Sequence, residues 1–259
     1  ISAISQDSMS IYQVTNELGY SESSKAIFKG KLLTSLNYAY SEWHLGNINQ
    51  NFSNWGSGPN INIGYGITKR VDVRITTGQF SNTYRFLDGS TEKSGNIKNW
   101  SGLFFGTKVN LTNQKGWIPE SAVSVDLSMP YQYESLELTT IKLNFAWSYL
   151  IGNNFRLGGD FLFTDDFDNF QQRNFFDSFH YRINARYELV NGFGVFVDVN
   201  LPKSFGGMIY NPNGGLYYRL NKNAQFHILY GTTMGNENKS YTYDSRYFRV
   251  GFSGMLLNK

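Results

Sequence analysis

Apolar and polar residues alternate one for one along segment after segment of this chain, and a period of two dictates extended strands with one greasy face and one wet face. Residues 179–189 show it cleanly: Phe179, Tyr181, Ile183, Ala185, Tyr187 and Leu189 take one face, and His180, Arg182, Asn184, Arg186 and Glu188 the other. Ile141, Leu143, Phe145, Trp147 and Tyr149 alternate with Lys142, Asn144, Ala146 and Ser148. Val71, Val73 and Ile75 oppose Asp72, Arg74 and Thr76, while Val123, Val125, Leu127 and Met129 oppose Ala122, Ser124, Asp126 and Ser128. Such segments, bounded by Gly, Asn, Asp and Lys, fall at 28–45, 57–67, 71–80, 98–111, 118–130, 134–150, 155–165, 176–189, 193–201, 213–220, 224–233 and 243–257. They predict about twelve strands. Residues 1–25 are serine-rich and aperiodic, which predicts a polar tail, periplasmic or inserted into a lumen, ahead of one all-β domain over 26–259.

Alternation alone fits two opposite solids. A soluble sandwich or lipocalin-like barrel points the apolar face inward, whereas a membrane barrel points it at lipid. Aromatic residues make up 17% of the chain, with 21 Phe and 18 Tyr, yet the mean hydropathy is −0.38. No apolar run approaches the roughly 18 residues of a spanning helix. A chain that is rich in aromatic surface but lacks such runs still crosses a bilayer if only alternate residues meet lipid. Segments long enough for a tilted crossing favour the membrane. So do Trp43, Trp147, Tyr149, Tyr187 and Tyr230 near segment ends, where amphipathic rings suit the lipid interfaces.

The links supply a separate argument. After even-numbered segments they are short, at 68–70, 112–117, 151–154, 190–192 and 221–223; after odd-numbered ones they are longer, at 46–56, 81–97, 166–175, 202–212 and 234–242, with 131–133 a short exception. Short periplasmic turns, longer outer loops and both termini in the periplasm follow. The tenth segment is the weakest, because Pro212 stands at its start and cannot donate to an interior ladder.

Some classes drop out. With no cysteine, neither a disulfide framework nor a thiolate metal site is predicted, and a net charge of +3 gives no nucleic-acid footprint. No cofactor or metal is expected. The expected partners are membrane lipid, a small-molecule solute, and other outer-membrane or periplasmic proteins.

Residues 59–76 read Pro-Asn-Ile-Asn-Ile-Gly-Tyr-Gly-Ile-Thr-Lys-Arg-Val-Asp-Val-Arg-Ile-Thr, and Gly106-Thr107-Lys108-Val109 is followed by a strand from Pro119 to Pro130. In these stretches the chain resembles the outer-membrane transporter-like family named for the meta-pathway of phenol degradation. The resemblance implies a transporter-type barrel carrying small molecules, and it brings no catalytic residues.

Strand parity assigns candidate lumen residues. The basic ones are Arg74, Lys108, Lys142, Arg156, Arg182, Arg186, Arg219 and Arg249, and the acidic ones are Asp72, Asp126, Asp160, Glu188 and Asp198. They read either as a selectivity lining with weak anion preference or as charges paired across a narrow lumen. Phe104, Leu162, Phe196, Tyr217 and Leu229 also point inward by parity, and a ring of about twelve strands is only modestly wide; both favour a narrow or plugged interior. The leading function is a passive transporter or channel for small solutes. The alternative is a non-conducting accessory or scaffold barrel in a larger envelope complex. A surface lipase is disfavoured: His44, His180 and His227 are the only histidines, no Gly-x-Ser-x-Gly elbow occurs, and the nearest serine to His180 on its strand is Ser178. Asp165, Asp166, Asp168 and Asn169 form an acidic cluster, but it lacks the Gly and closing Glu of a calcium loop and reads as an exposed outer loop.

Overall fold

A computed structural model describes residues 23–46, 50–88, 91–129, 140–166, 178–204, 207–238 and 241–257. They form twelve strands: β1 (Lys31–Gly46), β2 (Gln50–Gly66), β3 (Val71–Asp88), β4 (Thr91–Thr112), β5 (Glu120–Met129), β6 (Thr140–Ile151), β7 (Phe155–Asp166), β8 (Ser178–Val190), β9 (Phe193–Ser204), β10 (Gly207–Asn221), β11 (Ala224–Asn238) and β12 (Tyr241–Leu257). Each pairs antiparallel with its sequence neighbours, and β12 returns to β1 to close the ring. The seam runs from Lys31 opposite Leu257 to Gly46 opposite Thr242. Closure leaves no sheet edge with unpaired backbone groups, which is what a wall immersed in hydrocarbon demands.

The choice between the two solids follows from which face is exposed. Leu36, Ile63, Ile75, Phe145, Leu216 and Ile228 all point outward and are exposed, while Asp72, Asp160, Asp198 and Gln225 point inward and are almost wholly buried. The apolar face is therefore the outside, and the lipocalin-like alternative is overturned. Aromatic rings on that outer face pair across strands: Phe161 stacks on Tyr181 with centroids 4.8 Å apart, Phe163 meets Phe179 at 5.0 Å, and Phe226 meets Phe252 at 4.8 Å. These cross-strand contacts tie neighbouring strands together beyond the backbone ladder.

The longer links are corrected. Of 46–56, 81–97, 202–212 and 234–242, most residues belong to strands. β3 and β4 stay paired out to Asp88 opposite Thr91, β2 resumes at Gln50, β9 and β10 reach Ser204 and Gly207, and β11 and β12 reach Asn238 and Tyr241. The wall therefore stands taller on those hairpins than the period-2 segments indicate. The first strand starts at Lys31 rather than 28; the sixth is described from Thr140, and residues 134–139 lie outside the described residues. The links at 131–133 and 167–175 lie outside the described residues. Pro212 sits inside β10, opposite Val199 of β9, where the β10–β11 ladder skips from Tyr210 to Asn213; the missing N–H falls in that gap.

The β8–β9 turn is Asn191-Gly192, with φ of 52° and 81°, the paired left-handed conformation that lets a two-residue hairpin match strand twist. A Cβ on Gly192 would stand 2.5 Å from the Arg219 carbonyl oxygen. Gly192→Ala is expected to cost at least about 1–2 kcal/mol, read as a lower urea midpoint for unfolding from lipid vesicles; an unchanged midpoint would mean that the turn relaxes freely.

Candidate functional site

The chemistry of this molecule lies inside the ring. Arg74 on β3 reaches over β4 to Asp126 on β5 in a two-pronged pair, Nε to Oδ1 at 2.8 Å and Nη2 to Oδ2 at 2.6 Å. The reach is possible because the residue between them on that rung is Gly106, and any Cβ there would strike both partners. Arg182 and Asp160 face each other on β8 and β7 and pair through both guanidinium and carboxylate edges, with Asn144 also donating to Asp160 at 3.4 Å. Arg219 pairs with Glu188 across β9. Arg156 donates to Glu120 at 2.9 Å. Lys142 lies 4.4 Å over the Phe104 ring and Arg249 5.4 Å from the Tyr247 ring. Lys108 is buried, as are Asp72, Arg186 and Asp198. Planar, bidentate Arg–carboxylate geometry is the strongest form such pairs take and offsets part of the cost of desolvating them.

Residues 23–28 lie inside the same space. Ser24 Oγ meets Ser148 Oγ at 2.6 Å and accepts from Arg156 Nη2 at 3.0 Å. Lys25 Nζ stands 3.4 Å from Glu120 Oε1. Asn110 reads the segment's backbone twice, its Nδ2 donating to the Ser24 carbonyl and its Oδ1 accepting from the Ala26 N–H, both at 2.6 Å. The Ile27 N–H donates to Asp72 at 2.7 Å, and Lys108 Nζ donates to the Lys25 carbonyl at 3.3 Å. Ile27 packs with Leu33 and Met255, with Phe28 against them. Burial lowers the Lys25 ammonium below its ordinary pKa; Glu120 pulls it back up and Arg156 adds to the depression.

The opposite quadrant is filled by side chains of the wall. Phe196, Tyr217 and Leu229 form a buried apolar cluster with Tyr247 against it. Glycines make the room: the missing Cβ atoms of Gly194 and Gly215 would lie 2.2 Å from the Tyr217 ring and 2.7 Å from the Phe196 ring. Ser253, Gln225 and Leu229 are 0% exposed.

The sequence candidates Arg74, Lys108, Asp126, Lys142, Arg156, Asp160, Arg182, Arg186, Glu188, Asp198, Arg219 and Arg249 thus stand on the inner face of the ring, in several local groups rather than one. Sequence reasoning missed Glu120 and Asn110; it left residues 1–25 either periplasmic or inserted in the lumen, and the described residues 23–25 of that tail lie inside. Of the interface aromatics, Tyr187 and Tyr230 are exposed on the outer face, and Trp147 and Tyr149 are half-buried there with rings 6.3 Å apart. Trp43 is in β1, but its side chain lies outside the described residues. Trp117, 94% exposed in the β4–β5 link, had no periodic context to flag it.

Histidine chemistry is limited. His180 bonds Asn200 at 3.3 Å, and the Ser178 side chain lies outside the described residues. His44 Nδ1 meets Ser53 Oγ at 2.9 Å and its Nε2 meets Glu42 Oε1 at 2.8 Å, a Ser–His–carboxylate sequence unforeseen from the chain. It sits on a sheet surface, with the His44 and Glu42 side chains 43% and 31% exposed, and Ser53 is an in-register strand residue opposite His44, without the sharp turn that projects a nucleophile. We assign it a structural role on the rim away from the short turns. Asp165 and Asp166 end β7, but their side chains, and all of Asp168 and Asn169, lie outside the described residues.

No protein-family model matches the chain, and no curated protein matches its sequence. Solved structures do share its shape. An outer membrane channel from Pseudomonas putida F1 superposes with a TM-score of 0.65 at 12% identity, covering 90% of this chain and 98% of that one. The transport unit of the autotransporter AIDA-I from Escherichia coli gives 0.57 at 8% identity, covering 87% and 90%. The CymD monoaromatic hydrocarbon channel gives 0.51 at 9% identity, covering 90% of each. At these identities the likeness is one of fold: the chain is a closed, inside-out, twelve-stranded antiparallel barrel of the kind seen in outer-membrane channels.

Proposed function

We propose that this barrel is a passive channel of the bacterial outer membrane for small solutes, with β1 and β12 entering from the periplasmic side. The observation that carries the reading is the division of the wall: an apolar, aromatic exterior around an interior built from paired Arg, Lys, Asp and Glu. Charged and hydrogen-bonding groups that line a lumen coordinate ions and orient polar solutes. The stretches at 59–76 and 106–109 that resemble the meta-pathway transporter-like family support it. So does the shape shared with an outer membrane channel and a hydrocarbon channel.

Purified protein in a planar bilayer is expected to pass ion current, with a reversal potential in a salt gradient that favours anions, because basic groups outnumber acidic ones inside. The double substitution Arg186→Gln, Arg249→Gln is expected to weaken that preference; an unchanged reversal potential would remove both residues from the conducting path. The buried Phe196, Tyr217 and Leu229 cluster and the paired charges favour a second reading, a non-conducting scaffold barrel. A sealed membrane at every voltage, with other envelope proteins co-purifying stably, would establish that reading and overturn the channel.

A further inference from the structure

We propose that residues 23–28 are a gating strap, a built-in gate across the short-turn mouth of the barrel that must leave its seat before solutes pass. The inference rests on the channel reading and adds its regulation.

Geometry sets the segment inside the lumen, held at both ends. Its Phe28 end is fixed on β1 and β2: Gly30 N–H donates to the Gly66 carbonyl at 2.8 Å, and Ile27 packs on Leu33 of β1 and Met255 of β12. Its Ser24 end is fixed on β6 and β7 through Ser148 and Arg156. In a ring of twelve, β1 and β7 are diametrically opposed. Between its two ends the segment is met by Asp72 of β3, Asn110 of β4 and Glu120 of β5, whose side chains lean in from the wall to reach it. It therefore stands off the wall, inside the lumen.

The seat is made for a backbone. Gly64 and Gly66 lie inward where the strap passes; a Cβ on Gly64 would be 2.4 Å from Ile27 Cδ1, and one on Gly66 would be 1.9 Å from the Phe28 carbonyl oxygen. Asn110 holds the Ser24 carbonyl and the Ala26 N–H in the manner of a neighbouring strand.

The seat is also releasable. Apart from the Ile27 and Phe28 contacts, its holds are polar: an ion pair from Lys25 to Glu120, a serine pair, and an Arg156 that already has Glu120 as a partner on the wall. Water can replace each of these when the strap lifts, and the Arg156–Glu120 pair stays intact. A plug buried by apolar packing throughout would lack that property. The Gly30 hinge has a φ of 76° and open space around it, so the strap can swing about its junction with β1.

Two variants test this. The chain has no cysteine, so Ser24→Cys with Ser148→Cys creates a single pair; the parent Oγ atoms are 2.6 Å apart. Copper phenanthroline is the oxidant and dithiothreitol the reductant. Gly66→Ala displaces the strap from the wall without touching any of the ion pairs. We expect the disulfide to form in lipid, as read by the mass of a proteolytic cross-link. The oxidised pair should hold the current at its lowest level, dithiothreitol should raise it several-fold, and Gly66→Ala should pass more current than wild type. If the disulfide forms but oxidised, reduced and Gly66→Ala proteins conduct alike, the strap is no gate and the channel reading stands. If it forms and none of them conducts, the channel reading falls and the gate with it. If it does not form in folded protein, the strap is not seated there and the proposal is wrong.

Discussion

Asp160→Ala is expected to lower the stability of the barrel by about 3–5 kcal/mol, the cost of leaving a buried charge without its partner. Asp160 is wholly buried, takes both edges of the Arg182 guanidinium, and receives Asn144 as a further donor. Its removal strands the cation in an interior where little water reaches it. The pair Asp160→Leu, Arg182→Met should recover much of the loss, because apolar side chains of similar size avoid the desolvation cost altogether. Urea titration of protein folded into vesicles, followed by the mobility difference between folded and unfolded bands, measures both. If the single variant unfolds at the wild-type midpoint, Arg182 reaches water after all and the interior is wetter than described.

The second large effect lies on the other face. Ile228→Arg is expected to cost about 2–4 kcal/mol, falling off if the site lies near an interface. Ile228 shares its rung with Leu216 and Val250, all facing outward, so the new guanidinium has only hydrocarbon or a snorkelling route to the headgroups. The same titration reads it. A neutral result would mean that this face is covered by something other than lipid.

How much of this was legible in the chain depends on where the bilayer acts. Inside the apolar belt each strand has one face in lipid and one in the lumen, so the physics writes a period of two into residues such as 179–189, and strand number, order and parity could be read directly. Beyond the belt both faces are wet. Residues 81–87 and 91–97 then carry Ser, Asn and Thr on either face while the backbone ladder continues, so strands looked like loops. The lumen residues were legible as a set, because parity fixes direction. Their pairing was not: Arg74 finds Asp126 across an intervening strand only because Gly106 is on the same rung, and register is invisible without the fold. Glu120 was hidden beside Pro119 at a strand start. Ser23-Ser24-Lys25 has no pattern of its own, and its contacts with Glu120, Ser148 and Arg156 lie 95 to 132 residues away.

The central claim is that the alternation is inside-out, with lipid on the apolar face. Single cysteines placed in turn at residues 225 to 230 of β11, each carrying an environment-sensitive fluorophore, test it in vesicles containing brominated lipid. The account predicts strong quenching at 226, 228 and 230 and little at 225, 227 and 229. Quenching in the opposite phase, or at no position, would contradict it.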